Sequence, residues 1–214
     1  MSTSTWPQDP EWFASELRKH IDPYLSLDSA QVALLHRHFS LLGRWNAKLN
    51  LTSIRDPAEV VIRHYCESLF FAVHVPNAPS GSTLADIGSG AGFPGIPMAV
   101  ARPDWRVTLI ESHQRKGVFL RESVRGAPNI HVISERAEAV TQDFDWIVAR
   151  AVDPVEVLAL TPRMAEGVGL LIGSGDAAKI EGDAKFRIDA SIPVPWGERR
   201  VCLYAHSVPR ETIT

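Results

Sequence analysis

The stretch LADIGSGAGFPGIPM, residues 84–98, decides how the rest of the chain is read. A short apolar run reaches Asp86, then Gly88, Gly90, Gly92 and Gly95 follow, with Pro94 and Pro97 among them. Glycine costs the most conformational entropy to order, so a cluster of it marks backbone that turns tightly or is approached closely. A glycine loop between a first strand and its helix is the ligand crevice of a doubly wound sheet.

Reading toward the C-terminus, β-rich runs recur at TLADI, RVTLIES, NIHVIS, DWIVARA and VGLLIG. Helical stretches separate them at Gly95–Ala101, His113–Arg125 and Pro154–Ala165. That alternation predicts βαβ units and a parallel sheet. FRIDASIPVPW and ERRVCLYAHS follow with no helix between them, so the sheet is expected to end in an antiparallel pair. Reading toward the N-terminus, PNAPSGST is a breaker cluster and the expected linker. Before it the pattern is helical. Asp28 and Gln31 have capping-box spacing, and Val32, Leu35, Phe39, Leu42 and Leu49 then form one apolar face. DPAE at Asp56–Glu59 repeats the signature, with Pro57 at the first helical position, and predicts a helix through VVIRHYCESLFFAV. A shorter helix is expected around residues 10–20. The expected organisation is a helical cap over residues 1–75, a linker over 76–83 and a Rossmann-like domain over 84–214, packed as one unit.

A chain of 214 residues suits one well-filled domain with a modest extension. Its 45% hydrophobic and 22% charged residues are ordinary for a globular protein. No run approaches the roughly 20 apolar residues that span a bilayer. The opening MSTSTWPQDPEWF lacks the basic start and apolar middle of a signal peptide. Cys66 and Cys202 stand far apart and indicate neither a disulfide framework nor a thiolate metal site. A cytoplasmic protein without a metal or membrane partner is expected. The net charge of −3 conceals separation. Residues 36–64 hold Arg37, Arg44, Lys48, Arg55 and Arg63 against Asp56 and Glu59, and residues 102–125 hold six basic residues against three acids. Such separation permits an anionic partner on one side.

Three ligands compete for the loop. A phosphate-cradling P-loop requires a lysine that is missing here. A dinucleotide is disfavoured, because G-x-G-x-G with Phe93-Pro94 departs from G-x-G-x-x-G and a proline removes a backbone donor that pyrophosphate would use. S-adenosylmethionine carries no phosphate. Asp86 would set up its methionine end, Gly88, Gly90 and Gly92 would let backbone approach, and Glu111 would accept both ribose hydroxyls. Ala137 and Glu138, in ERAEAV after the third strand, would flank the adenine. The bland reading of Glu111 and Glu138 is that they are exposed acids.

WNAKLNLTSIRDPAEVVIRHYCESL, DIGSGAGFPGIP, LIESHQRKGVFLRE, ERAE, VARAV and GERRVCLY occur in this order from about Leu41 to Tyr204. In these blocks the chain resembles the bacterial small-subunit ribosomal RNA guanine-N7 methyltransferases, the family also called glucose-inhibited division protein B. The resemblance implies an α/β, class I S-adenosylmethionine-dependent methyltransferase with a mostly parallel seven-stranded sheet, an antiparallel C-terminal strand and a helical N-terminal cap. It implies cofactor contacts at Gly88, Phe93, Ala137, Glu138 and Arg150, with Arg150 facing the reaction pocket. The implied acceptor is N7 of one guanine in 16S ribosomal RNA, free or in a small-subunit assembly intermediate, and the implied state is a monomer. Three positions depart from the family pattern. Glu67-Ser68 stands for Asp-Ser, Arg115-Lys116 is a mild change, and Gly173-Ser174 stands for Lys-Gly. If the family lysine grips RNA phosphate, binding here is weaker or other residues supply the contact.

Guanine N7 presents an in-plane lone pair and has no proton to lose, so its methylation needs orientation rather than a general base. The Asp/Asn-Pro-Pro-Tyr motif used on exocyclic amines is missing after the fourth strand, where ARAV stands instead. RNA contacts are expected from Asn46, Lys48, Arg63 and His64 in the cap, from Arg115 and Lys116, and from Arg199, with Arg200 extending the basic rim. For Asn46 and Asn50, which share a helix face, polar bonding that fixes the cap is the competing reading. Trp45 is read as a base-stacking platform or as core. His36 and His38 do not face each other and are not a metal pair. The alternatives are a same-fold methyltransferase acting on another RNA or a small molecule, a dehydrogenase-like nucleotide binder, and an RNA-binding module without turnover.

Overall fold

In the cap, three aspartates start three helices. Asp9 accepts the Glu11 N–H and opens α1 (Pro10–Ile21), and Asp56 accepts the Ala58 N–H and opens α3 (Pro57–Val60). Each is followed by proline at the first helical position, where its missing N–H costs nothing. Asp28 opens α2 (Ser29–Leu49) with both halves of the capping box formed, as expected from its spacing with Gln31. These features belong to a computed structural model that describes residues 6–197 and 199–208. Residues 1–5 and 209–214, at the ends of the two expected segments, and Glu198 in the last matching block lie outside the described residues.

α3 runs without a break through a π-helical turn, Val61–Cys66, into α4 (Glu67–Val73). The single helix expected over these residues therefore contains a wider turn, which the 3.6-residue period does not reveal. Such π turns insert one extra residue and re-aim the side chains that follow. Tyr65 to Ala72 are then buried consecutively, including Glu67 and Ser68. A helix covered on every side is a central one.

The sheet contains β1 (Thr83–Ile87), β2 (Arg106–Ile110), β3 (Ile130–Ile133), β4 (Phe144–Arg150), β5 (Ala165–Gly173), β6 (Phe186–Pro193) and β7 (Arg200–Ser207). Their spatial order is β3-β2-β1-β4-β5-β7-β6. The contacts from β3 through β5 are parallel, and β7 is antiparallel to both β5 and β6. β1 starts at Thr83, one residue before the expected domain boundary. The connecting helices are α5 (Gly95–Ala101), α6 (Gln114–Ser123), α7 (Pro154–Met164) and α8 (Ser174–Glu181). Sequence reading did not find α8. Its opening SGD has loop composition, and only Ala177 and Ile180 of this short helix are buried.

Strand parity distributes the core. On β4, Trp146 and Val148 join a cluster shared with the cap, α5 and α6, whereas Ile147 and Ala149 face α7 and α8. On β7, Cys202 and Tyr204 face the cap side and Val201, Leu203 and Ala205 the other. This is the two-residue alternation of a strand buried on both faces. The cap is thus docked by one continuous apolar cluster that includes Phe13, Leu35, Phe39, Leu42 and Tyr65, each at 0% exposure. Each such side chain contributes about 1.5–3 kcal/mol by leaving water. Among the described residues, no helix is long and apolar enough to cross a membrane.

Chain order then creates the crevice. From β1 the sheet grows through β2 and β3 to one side and through β4 and β5 to the other. The connections after β1 and β4 therefore diverge at the carboxyl edge, where ligands bind in open α/β sheets.

Candidate active site

The loop after β1 is built tight. Gly88 has φ +66°, and a Cβ there would meet Val152 Cγ2 at 2.8 Å. At Gly95 a Cβ would lie 2.4 Å from Leu109 Cδ2 and 2.8 Å from Asp86 Oδ2. That closeness serves a bond: the Gly95 N–H donates to Asp86 Oδ2 at 3.0 Å. Asp86 is fully buried beneath the loop, and its Oδ1 has no partner. Burial pushes its carboxyl up to about 7, against the pull of the Gly95 N–H. Glu111, also buried, bonds twice: Oε2 accepts the Gly90 N–H at 2.9 Å and Oε1 the His113 N–H at 2.7 Å. It therefore ties the loop to the start of α6.

Beside the loop lies a cleft of about 140 Å³ whose wall includes Gly88, Ile110, Ser112, Ala137, Glu138 and Val152. Ala137 and Glu138 lie in a 3-10 turn after β3, so this edge brings together the two positions expected to flank an adenine. Ser112, Arg136 and Val152 were not anticipated as cleft residues. Ser112 directly follows Glu111, and Val152 closes the ARAV run, so distance from the strand ends was the available signal.

Arg150 ends β4 with the parity of Trp146 and Val148, which turns it toward the cap face. There it meets Glu67, which sequence reading noted only as a departure from Asp. Arg150 Nη2 lies 3.7 Å from Glu67 Oε2, Arg200 Nε 3.2 Å from the same oxygen, and Arg63 Nε 3.1 Å from Oε1. The Glu67 side chain is 0% exposed, Arg150 9%, Arg200 21% and Arg63 36%. Burial raises the Glu67 carboxyl, and the three guanidiniums oppose the rise. The strand register sets Gly173 opposite Arg200, so a cation stands beside the position where the family pattern has lysine.

His64 packs face to face on Phe93, with ring centroids 4.7 Å apart. Its Nε2 lies 2.8 Å from Thr52 Oγ1. Burial, followed by the nearby Arg150 charge, holds its pKa well below the usual value, so it is a neutral ring. Phe93 joins loop to cap, with Tyr65 and His38 edge-on to it. His38 Nε2 lies 2.9 Å from the Ala91 carbonyl, so that nitrogen carries the hydrogen and donates. Its Nδ1 is then the acceptor for Tyr65 Oη at 2.8 Å. Burial drives the His38 pKa down to about 4, as this neutral relay requires.

Asn46 is buried, and its Oδ1 accepts the Thr52 N–H at 2.9 Å. That oxygen therefore holds the turn after α2, as the competing cap-fixing reading expected. Asn50 closes α2 in the left-handed conformation. Trp45 is half-buried and edge-on to Phe119. Lys48, Arg115 and Arg199 are exposed and Lys116 half-buried. Arg115 and Lys116 occupy the first turn of α6, and Arg199 precedes β7, so these three share the carboxyl edge of the sheet with Arg150.

A family model described as rRNA small subunit methyltransferase G (GidB) matches residues 31–183. The chain belongs to this family. A Nitrosomonas europaea protein named Ribosomal RNA small subunit methyltransferase G is 42% identical over 150 residues, 67% of this chain and 68% of that one. A Stenotrophomonas maltophilia protein of the same name is 40% identical over 181 residues, 83% and 81% of the two chains. Among solved structures, a SAM-dependent methyltransferase from Aquifex aeolicus superposes with TM-score 0.57 at 17% identity, covering 74% of this chain and 97% of that one. Aeropyrum pernix fibrillarin, with natively bound S-adenosyl-L-methionine, superposes with TM-score 0.52 at 16% identity over 65% and 72%. These likenesses show the class I methyltransferase fold.

Proposed function

We propose that this chain transfers the methyl group of S-adenosylmethionine to N7 of one guanine in 16S ribosomal RNA. The observation that carries the reading is the family match over residues 31–183, which contains the glycine loop, both strand-end acids and Arg150. The residues present suit the cofactor. Gly88 lies at the cleft rim where a side chain would collide, Ala137 and Glu138 form a wall for a flat base, and Asp86 keeps an unpartnered buried oxygen. When bound, the cofactor offers a sulfonium methyl carbon; N7 forms the new bond to it while the sulfur keeps the electron pair of the old one.

No proton is released, so the chain needs no base. Its contribution is to orient donor and acceptor and to exclude water. In this reading Gly88, Gly90, Gly92 and the backbone at Phe93 hold the methionine and ribose side, with Glu111 on the ribose. Asp86 braces the loop. Arg150 touches the acceptor side and is the catalytic residue. Arg63, Arg115, Lys116, Arg199 and Lys48 contact RNA, and the neutral His64 ring, stacked on Phe93, supports that surface. The cap acts as part of the substrate platform, and the chain works in the cytoplasm as a monomer.

The test is incubation with radiolabelled cofactor and either naked 16S ribosomal RNA or small subunits from a strain lacking the enzyme. Strand scission specific for 7-methylguanine then maps the product to one guanine. Label appearing only on a small molecule, or at an exocyclic amine, overturns the reading.

A further inference from the structure

Glu67 carries one negative charge, whereas the guanidiniums of Arg63, Arg150 and Arg200 around it carry three. The residues come from the cap helix, the end of β4 and the start of β7, so their meeting is a tertiary arrangement. Their contacts are loose. Arg63 Nε, Arg150 Nη1, Arg200 Nε and both Glu67 oxygens are buried atoms without a hydrogen-bond partner. A well-formed guanidinium–carboxylate pair makes two parallel hydrogen bonds, and none of the three reaches that geometry. Charge is in excess and donors are unused.

We propose that Arg63, Arg150 and Arg200, gathered on Glu67, form the seat for one backbone phosphate of the RNA strand next to the target guanine. This rests on the ribosomal RNA methyltransferase reading above. Exposure rises from Arg150 through Arg200 to Arg63, so the cluster is closed at its floor and open at its mouth. A phosphodiester offers two non-bridging oxygens to guanidinium forks, a match that a lysine point charge does not provide. Burial, chiefly, draws the Arg150 guanidinium down to about 10; Glu67 opposes this, and Arg200 and Arg63 add smaller pushes in the same direction as burial. Glu67 gathers the three cations; counting Glu59, whose Oε1 lies 3.8 Å from Arg63 Nη1, two carboxylates face three guanidiniums, and one positive charge is left for the ligand. It is a positioning residue.

The experiment measures binding of the full-length protein, saturated with S-adenosylhomocysteine, to naked 16S ribosomal RNA between 50 and 200 mM salt. Arg200→Gln and Arg63→Gln are the variants, because both side chains are partly exposed and their loss leaves the floor of the cluster in place. Each phosphate contact contributes about 0.7 to the log–log salt slope on single strands. Each variant is therefore expected to flatten the slope by about that amount and to weaken RNA binding, with S-adenosylhomocysteine affinity by calorimetry unchanged. Arg200→Lys is expected to restore the slope but not the full affinity.

Unchanged slopes in both glutamine variants overturn the seat. So does lost S-adenosylhomocysteine affinity with an intact RNA slope, which assigns the cluster to the cofactor carboxylate. The underlying reading fails separately, when the wild-type protein places no methyl on guanine N7 of this RNA. Flattened slopes in that case still support the phosphate seat.

Discussion

The glycine loop and the arginine cluster sit at the same edge of the sheet but treat their polar groups differently. In the loop, the Gly90 and Gly95 N–H groups already have carboxylate partners in Glu111 and Asp86. At the cluster, five nitrogen and oxygen atoms of Arg63, Glu67, Arg150 and Arg200 are buried without hydrogen bonds. In the loop only Asp86 Oδ1 is left without a partner, whereas the cluster leaves several donors and acceptors open, as the proposed phosphate seat requires. A preformed loop binds its ligand with little ordering cost. An unfinished cationic cluster responds to an anion and so gives the acceptor side its selectivity.

Four expected outcomes break or sharpen this contrast. Glu67→Gln leaves three guanidiniums facing one another without their shared carboxylate, and only Glu59, 3.8 Å from Arg63, as a remaining ion-pair partner. Removing one partner of a buried pair costs about 3 kcal/mol, so the urea midpoint should fall by that equivalent with an unchanged m-value. An unshifted midpoint would show that Glu67 does not hold the cluster together. Arg150→Ala should lower single-turnover methyl transfer at least about 100-fold, the effect of deleting one preorganised cationic donor, with the far-UV spectrum retained. Normal turnover removes Arg150 from the site.

Gly95→Ala sharpens the other half of the comparison. Its Cβ would press on Leu109 and Asp86, overpacking that costs about 1–3 kcal/mol, and calorimetry should show weaker S-adenosylhomocysteine binding. Wild-type stability and affinity in that variant would mean the loop is slack. The smallest effect per step is in pH. Asp86, raised to about 7, holds a proton in the native state that the unfolded chain has lost above about 4. It therefore lowers stability as pH rises from about 4 to 7, by at most about 1.4 kcal/mol per unit. His38, lowered to about 4, refuses a proton that the unfolded chain takes up below 6.5, so it raises stability with pH over nearly the same window. The two nearly cancel. Asp86→Asn should expose a rising stability profile and His38→Gln a falling one, read from thermal midpoints between pH 4 and 7; parallel profiles would refute the pair.

Local signals in the chain foretold most of the fold. Asp28 with Gln31 and Asp56 with Pro57 act within one helical turn, and the β-rich runs announced β1 to β5 because a strand's burial pattern is written in its own residues. The loop was equally legible, since clustered glycines require close backbone approach wherever they occur. Which of its two readings the Asn46 oxygen follows was not legible, because its partner, the Thr52 N–H, lies across a turn that helical spacing does not describe. Glu67 was seen but not understood. A π turn before it shifts the helix face, and its three arginines come from places as distant as residues 63, 150 and 200.

By itself, the order of residues determined the alternation of strands and helices, the position of the crevice-forming loop and the family blocks along it. Propensity, capping and two-residue alternation are properties of neighbours in the chain. Only the tertiary structure decided which charges meet, because an ion cluster depends on distances between elements. Parity on β4 turns Arg150 to the cap face, the β5–β7 register brings Arg200 to the same edge, and the central helix delivers Glu67 between them.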